Sequence, residues 1–577
     1  MSRIFNCVKK FLIFVNLLFL SIVNNAQTVE WAQLTGGTTI DFSNDITTDL
    51  QGNVYTTGRF QGTVDFDPGP NTLNLTALGA DIATFIMKQD ASGNLIWAKA
   101  IGGNNLANAH SIAVDATGNV LVAGTFLKTV DFDPGLANRS MTSSGFNGFE
   151  DGFILKLDSQ GDYVWAKQFG GTDDDDGIKS VAVDQAENVY LLGTFTGTAD
   201  FDPGFSTFIL TAVNFYQDIF ICKLDKNGDF EWVNAMGGIW NDGVASIKVG
   251  SNGDVFAMGT FQDTVDFDGG PGVSNLVSRG GRDAFLVKYN TQGGFQWARQ
   301  MGGTSWDYGE AIALDSYGHI YSTGYFRETA NFSTDTSVVA LTSINDEDIF
   351  VSKMTTDGDL RWARRMGGSG NDNAHGIAVD LTNHVYVTGA FSSNCDFDPS
   401  DTAIASLISK GQADVFIAAL DSSGHYQWAN QLGGISTDQG NGVAVYANNL
   451  YVAGYASNES DFDWAVGDTI LLTSKGGYDA FRMKINTSYP TSVSTSSQSS
   501  KFKIYPNPAS DKLILSFPED IDLGGVEIYD LLGRIQFVPN KDLNLRKEFD
   551  VSELSAGMYY MKISYGMQSR SVQFLKN

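Results

Sequence analysis

Cysteine is nearly absent, with 3 in 577 residues, so no disulfide scaffold organises the chain. Basic residues are also few. Lys and Arg number 37 against 66 Asp and Glu, a formal net charge of −29, and that balance excludes the basic footprint that nucleic-acid or phosphate binding needs. Beyond residue 26 no apolar run is long enough to cross a membrane as a helix. Common catalytic motifs are missing too: there is no HExxH, GxSxG, GxxxxGK(S/T) or CxxC. Apolar material is not lacking. Hydrophobic residues make up 42% and charged residues 18%, which excludes global disorder.

What the chain has in plenty is glycine (63) and aromatics (39 Phe, 21 Tyr, 10 Trp), the mixture of short strands joined by tight turns. Length alone suggests about four domains at ~150 residues each. Internal repeats replace that count. Trp31, Trp97, Trp165, Trp232, Trp297, Trp362 and Trp428 are spaced by 66, 68, 67, 65, 65 and 66 residues, and each is followed by a Gly-Gly pair, from Gly36-Gly37 to Gly433-Gly434.

The second unit reads as four strands: A (Ser111–Asp115), B (Asn119–Phe126), C (Gly152–Asp158) and D (Asp162–Gln168). Each is short, rich in β-branched and aromatic residues, and bounded by Gly, Asn or Asp. Four-stranded antiparallel units in tandem predict a β-propeller. Seven A strands start near Asp45, Ser111, Ser180, Ala245, Ala311, Gly376 and Gly442. The last unit runs from its C strand (Asp479–Ile485) into a Ser/Thr stretch without a D strand, while Val29–Leu34, carrying Trp31, precedes the first A strand. The expected fold is therefore all-β: a seven-bladed propeller over 27–487, closed by its N-terminal strand so that no blade is left open. The repeat resembles the SBBP family of β-propeller repeats. The repeated Trp is expected to pack between blades, and Gly-Gly to allow the sharp passage from one D strand to the next A strand.

Candidate binding residues lie in the B-to-C connections, which open on DFDPG or a relative: Asp65 and Asp67, Asp131 and Asp133, Asp200 and Asp202, Asp266 and Asp268, Asp396 and Asp398, Asp461 and Asp463. Unit five has Asn331-Phe332-Ser333 instead. Two readings stay open. Alternate carboxylates on an extended segment point to one side and supply hard oxygen ligands for Ca²⁺. Alternatively, Asp-Pro-Gly is turn chemistry, with Asp bonding to backbone and Phe as an anchor. The D-to-A loops of the same face add Asp173–Asp176, Asp242, Asp307, Asp372 and Asp438. Five His are present; His110 and His375 hold matching positions before an A strand, where a hydrogen-bonded structural role is expected over one at the channel mouth.

The two ends differ from the repeats. Residues 1–26 have Arg3, Lys9 and Lys10, then the apolar run Phe11–Val23 and a polar end at Asn24-Asn25-Ala26, the layout of a signal peptide. Residues 488–500 form an uncharged Ser/Thr linker. Residues 501–577 hold ten basic and ten acidic groups and strand candidates for a small Ig-like β-sandwich. With three basic and no acidic residues in 1–26, the net charge of 27–487 is −32 against −29 for the chain.

Tyr505-Pro506-Asn507-Pro508, Val526–Asp530 before Gly533-Arg534, Leu554–Tyr559 and the closing Val572–Lys576 resemble the type A sorting domain of the type IX secretion system of Bacteroidetes. The resemblance implies handling by that secretion machinery, removal of this domain, and release or attachment at the cell surface, with no transmembrane segment in the mature chain. The expected function is a binding or adhesion module for an extracellular protein or glycan, without nucleic acid, stabilised by calcium if the Asp pairs are ligands. The alternative is a hydrolase or lyase on polysaccharide or protein with its site at the channel mouth.

Overall fold

The computed structural model describes residues 27–487, apart from 78–81, 104, 146–147, 172–174, 334–338, 401 and 465–468, and residues 503–576, apart from 506–508, 517–522, 531–534, 538–547, 556 and 566–567. The expected signal peptide over 1–26, the expected linker over 488–500, Asp173, Asp174 and parts of the sorting motifs lie outside these residues. Among the described residues there is no α-helix, only strands and one 3-10 turn at Val213–Phe215.

The repeats fold as seven antiparallel four-stranded blades in the order A-B-C-D. Blade two is Ala107–Val114, Val120–Phe126, Asp151–Leu157 and Tyr163–Gly171. The A strands contact one another around a ring, from blade one to blade seven and back to blade one. Every blade is thus packed between two others. That explains the continuous apolar runs of the B and C strands, which are buried on both faces, as in Val120–Phe126 and Asp151–Leu157. One core cluster joins Leu121, Ala123 and Ile154 of blade two to Leu191, Phe195 and Phe220 of blade three, so the hydrophobic core lies between blades. Thr28–Thr35 pairs antiparallel with Asp479–Asn486, in one sheet with Gln439–Tyr446 and Asn449–Ala456.

The A strands begin earlier than the alternation indicates. Each carries a β-bulge close to its start; in blade two the register slips between Ala109 and Ser111. The apolar/polar alternation breaks at the bulge, which is why the first half of each strand reads as loop.

The long B-to-C connections contain a further hairpin, such as Thr129–Asp131 with Ser140–Thr142. It pairs with the preceding blade: Val130 faces Gly103 and Asp131 faces Gly102. Its Phe132 is buried edge-on against Phe126 at 5.2 Å, and Phe66, Phe201, Phe267, Phe332, Phe397 and Phe462 are buried likewise. The reason for Gly-Gly follows, and it is not the passage to the next A strand. A Cβ on the second glycine would meet the neighbouring hairpin's backbone, 2.1 Å from the Thr129 carbonyl at Gly103. In six blades a Cβ on the first would meet a buried aspartate of its own blade, 2.4 Å from the Asp283 carboxyl carbon at Gly302.

The C-terminal unit has two sheets. Lys503–Tyr505, Lys512–Ser516 and Glu548–Asp550 form one; Ile535–Phe537, Leu523–Asp530, Gly557–Tyr565 and Gln568–Lys576 form the other. Leu513, Leu515, Val526, Ile528, Phe549, Met561, Ile563 and Phe574 make its core.

Candidate functional site

The repeated features serve the scaffold. Six of the seven D-strand Trp indoles donate to a carbonyl in the C-to-D turn of the next blade, as Trp97 to Ser159 at 3.2 Å and Trp362 to Ser422 at 3.1 Å; Trp428 faces the blade whose D strand is the N-terminal strand. The ring covers the glycine of that turn: a Cβ on Gly161 (φ +80°) would lie 3.1 Å from Trp97. The expected packing between blades is what the rings do.

The Asp-x-Asp pairs are engaged with backbone. Asp65 Oδ1 accepts the amides of Asp67 (3.1 Å) and Leu73 (2.8 Å), and Asp67 Oδ1 accepts that of Gly69 (2.7 Å). Asp131 and Asp133, Asp200 and Asp202, and Asp266 and Asp268 repeat this, closing on Gly135, Gly204 and Gly270. Asp396 accepts from Asp398 and Ala405, Asp398 from Ser400, and Asp461 from Asp463 and Ile470. In blade five the neutral Asn331 does the same for Ser333 at 2.9 Å. Among the described residues no three His, Cys, Asp or Glu come together as a cation-binding group.

The D-to-A aspartates are not a surface array. Asp41, Asp176, Asp242, Asp307, Asp372 and Asp438 are all buried. Asp41 accepts the amide of Gly37 from the preceding blade (2.7 Å) and of Gln61 from its own (3.0 Å), clamping the seam. A second buried aspartate stands at the start of the C strand in six blades: Asp151, Asp218, Asp283, Asp348, Asp414 and Asp479. Burial, and then the charge of the facing carboxylate, push Asp242, Asp307 and Asp372 up to about 7.

The remaining variety is concentrated in the ring's centre. The bulges turn one residue per blade into a central cavity of about 780 Å³: Asn44, His110, Lys179, Ala245, Glu310, His375 and Asn441, all of which line it or belong to a lining A strand. His110 and His375 therefore face the channel rather than serving a blade. Burial, then Lys179 and Arg59, hold His110 down to about 3. His375 Nδ1 lies 3.9 Å from Glu310 Oε2. The other three His are turn residues: His319 meets Asp315 at 2.9 Å, His384 Asp380 at 3.3 Å and His425 Asp421 at 3.1 Å, where Asn94 meets Asp90 in blade one. Cys222 and Cys395 are free and buried.

Comparison with known proteins agrees with this architecture. Residues 30–59 and 164–201 match the family described as beta-propeller repeat, and residues 503–577 match the secretion system C-terminal sorting domain. The chain is thus a β-propeller repeat protein with a sorting domain at its C-terminal end, which implies export to the cell surface or beyond. No helix among the described residues is long and apolar enough to cross a membrane. An uncharacterized WD repeat-containing protein of Acanthamoeba polyphaga mimivirus is 24% identical, over 73% of this chain and 35% of its own. The regulatory protein FlaEY of Caulobacter vibrioides is 24% identical, over 67% of this chain and 40% of its own. The chain thus spans well under half the length of these curated relatives. Among solved structures, Sqt1 from Chaetomium thermophilum is similar at 9% identity and a TM-score of 0.37, covering 80% of this chain and 99% of its own. The phage phi92 endosialidase is similar at 11% and 0.30, covering 94% and 87%.

Proposed function

We propose that this protein is a secreted or surface-displayed binding module whose ligand site is the central cavity. The observation that carries the reading is the contrast between repeated and unrepeated positions. Trp, Phe, Gly-Gly and Asp recur blade after blade because each does the same structural work. The bulge position holds Asn, His, Lys, Ala, Glu, His and Asn in turn. A ring of equivalent blades has no packing reason for five residue types at seven equivalent cavity positions, whereas a single asymmetric ligand requires such variety. In this reading the N-terminal strand is the latch that closes the ring, the C-terminal unit is an Ig-like sandwich recognised by the type IX machinery, and residues 1–26 direct the first export step.

Binding of the full chain to a glycan and peptide array tests it. Ala245→Trp, which fills the cavity from one bulge, abolishes capture if the ligand sits there; undiminished capture overturns the reading. An enzymatic role rests on one observation, the Glu310 carboxylate beside the His375 imidazole. It requires turnover on the same panel and its loss in Glu310→Gln. The aspartate pairs act as turn locks in our reading. If they instead bind calcium, EDTA lowers the melting temperature; on the turn reading it leaves it unchanged.

A further inference from the structure

We infer that the cavity receives a carboxylated saccharide, with the acid group held between Arg59 and Lys179. The inference rests on the cavity being the ligand site and names the class of ligand. Its first support is a reversal of charge. Residues 27–487 are strongly acidic, yet the fixed charges lining the cavity are Arg59, Lys179 and Lys248 against Asp45 and Glu310. The two carboxylates are already attended. Asp45 accepts the Ser111 hydroxyl at 3.0 Å and the Ile112 amide at 2.9 Å and feels the charge of Lys248, and Glu310 faces His375. Arg59 and Lys179 have no described carboxylate within 4 Å, and both act on His110 between them. An anion seated beside His110 is attracted by both charges in one confined, low-dielectric space.

The rest of the lining selects the kind of anion. Phe42 and Tyr455 meet edge to face at 4.6 Å on one side of the cavity, with the Arg59 guanidinium 4.6 Å above the Phe42 ring. An aromatic wall of this kind suits the apolar face of a sugar ring. Amides suit its hydroxyls, and Asn441 and Gln439 line the same space, the Gln439 side chain donating to that of Asn441 at 2.8 Å. Asn441 also donates to the Ser43 carbonyl and Gln439 accepts the Tyr455 hydroxyl, so each amide keeps one further hydrogen and lone pair for a hydroxyl, which a fatty ligand could not meet. The cavity volume lies in the range of small-molecule sites and admits a short oligosaccharide.

The test titrates the full chain with oligomers of galacturonate, glucuronate and mannuronate and with their methyl esters, by calorimetry at low salt and at about 0.5 M salt. At least one acid oligomer binds, its ester binds at least about tenfold more weakly, affinity falls with salt, and Lys179→Met and Arg59→Met each weaken it by about tenfold. The melting curve of Lys179→Met matches the parent, because that side chain closes no seam; Arg59→Met, which uncovers the Phe42 ring, is judged by the loss of salt dependence as well as by affinity. Equal binding of acid and ester, unchanged affinity in both variants, or no binding by any acid oligomer overturns the inference. In those cases the cavity still stands as the ligand site if Ala245→Trp abolishes capture of an array ligand, so the two readings fail separately.

Discussion

At Gly302 and Gly303 two neighbouring glycines answer to different obstacles, one inside the blade and one across the seam. Adding a methyl group to Gly303 places it 1.9 Å from the Thr329 carbonyl oxygen, where backbone must move. Gly303→Ala is therefore expected to destabilise by about 3 kcal/mol in chemical denaturation, at the upper end of overpacking costs. Asn331 makes a second single-residue point. It accepts the amide of Ser333 as Asp266 accepts that of Asp268, so the turn needs an oxygen acceptor and not a charge. Asp266→Asn is expected to change stability by less than ~0.5 kcal/mol, with or without calcium, while Asp266→Ala costs about 1 to 2 kcal/mol by stranding two amides. A calcium-dependent loss in Asp266→Asn would contradict the turn role. The glycine pair was plain in the sequence as a landmark, but its purpose was not. A steric requirement imposed by a strand in the next blade leaves no trace in local spacing.

The blade seam is where elements meet, and it is lined with paired aspartates. Asp218 of blade three and Asp242 of blade four are both held up to about 7, as burial disfavours the charged form and, for Asp242, the facing Asp218 adds to it. Asp41, Asp283 and Asp414 are raised to about 6 by burial. A carboxyl raised in the folded state binds its proton more tightly there than in the unfolded chain. Its stabilising contribution is full below the unfolded value near 4 and is lost as the pH climbs through 6 to 7. The melting temperature of the propeller is therefore expected to fall between pH 5 and pH 8, and a flat or rising profile would refute it. Between blades one and two the equivalent positions are Ala83 and Ala107, so the two aspartates are lost together. The double variant Asp218→Ala with Asp242→Ala is accordingly expected to flatten the pH profile. The tryptophans act at the same scale: Trp362→Ala, which removes a hook into the next blade's turn, is expected to cost about 3 kcal/mol. The sequence showed Trp as a repeating packing residue because its spacing is regular. It showed the D-to-A aspartates as an acidic loop surface, which they are not, because burial depends on a neighbouring blade that local pattern does not reveal.

For the molecule as a whole, closure of the ring is the property most exposed to a single change. Thr28–Thr35 lies along the full length of Asp479–Asn486, and Arg482, itself buried, donates to the Thr35 hydroxyl at 2.8 Å and to Gln89 at 2.6 Å in blade one. Deleting residues 27–35 removes Trp31 and Leu34 from the seam and exposes a strand edge. It is expected to lower stability by on the order of 5 kcal/mol or more and to promote association through that edge. Differential scanning calorimetry with light scattering reads both effects.

By itself the sequence determined the blade count, the strand content, the turn residues and the export label, since periodic burial and turn chemistry are written in local order. Only the tertiary structure decided what the variable residues do. The bulges rotate Asn44, His110, Lys179, Glu310 and their equivalents toward one axis, and residues hundreds of positions apart become neighbours in one cavity. Similarly, the acidity divides in space between buried seam pairs, exposed turns and a cavity with an excess of basic side chains. That division depends on which carboxylates the neighbouring blades cover, a non-local fact that exists only once the ring has closed.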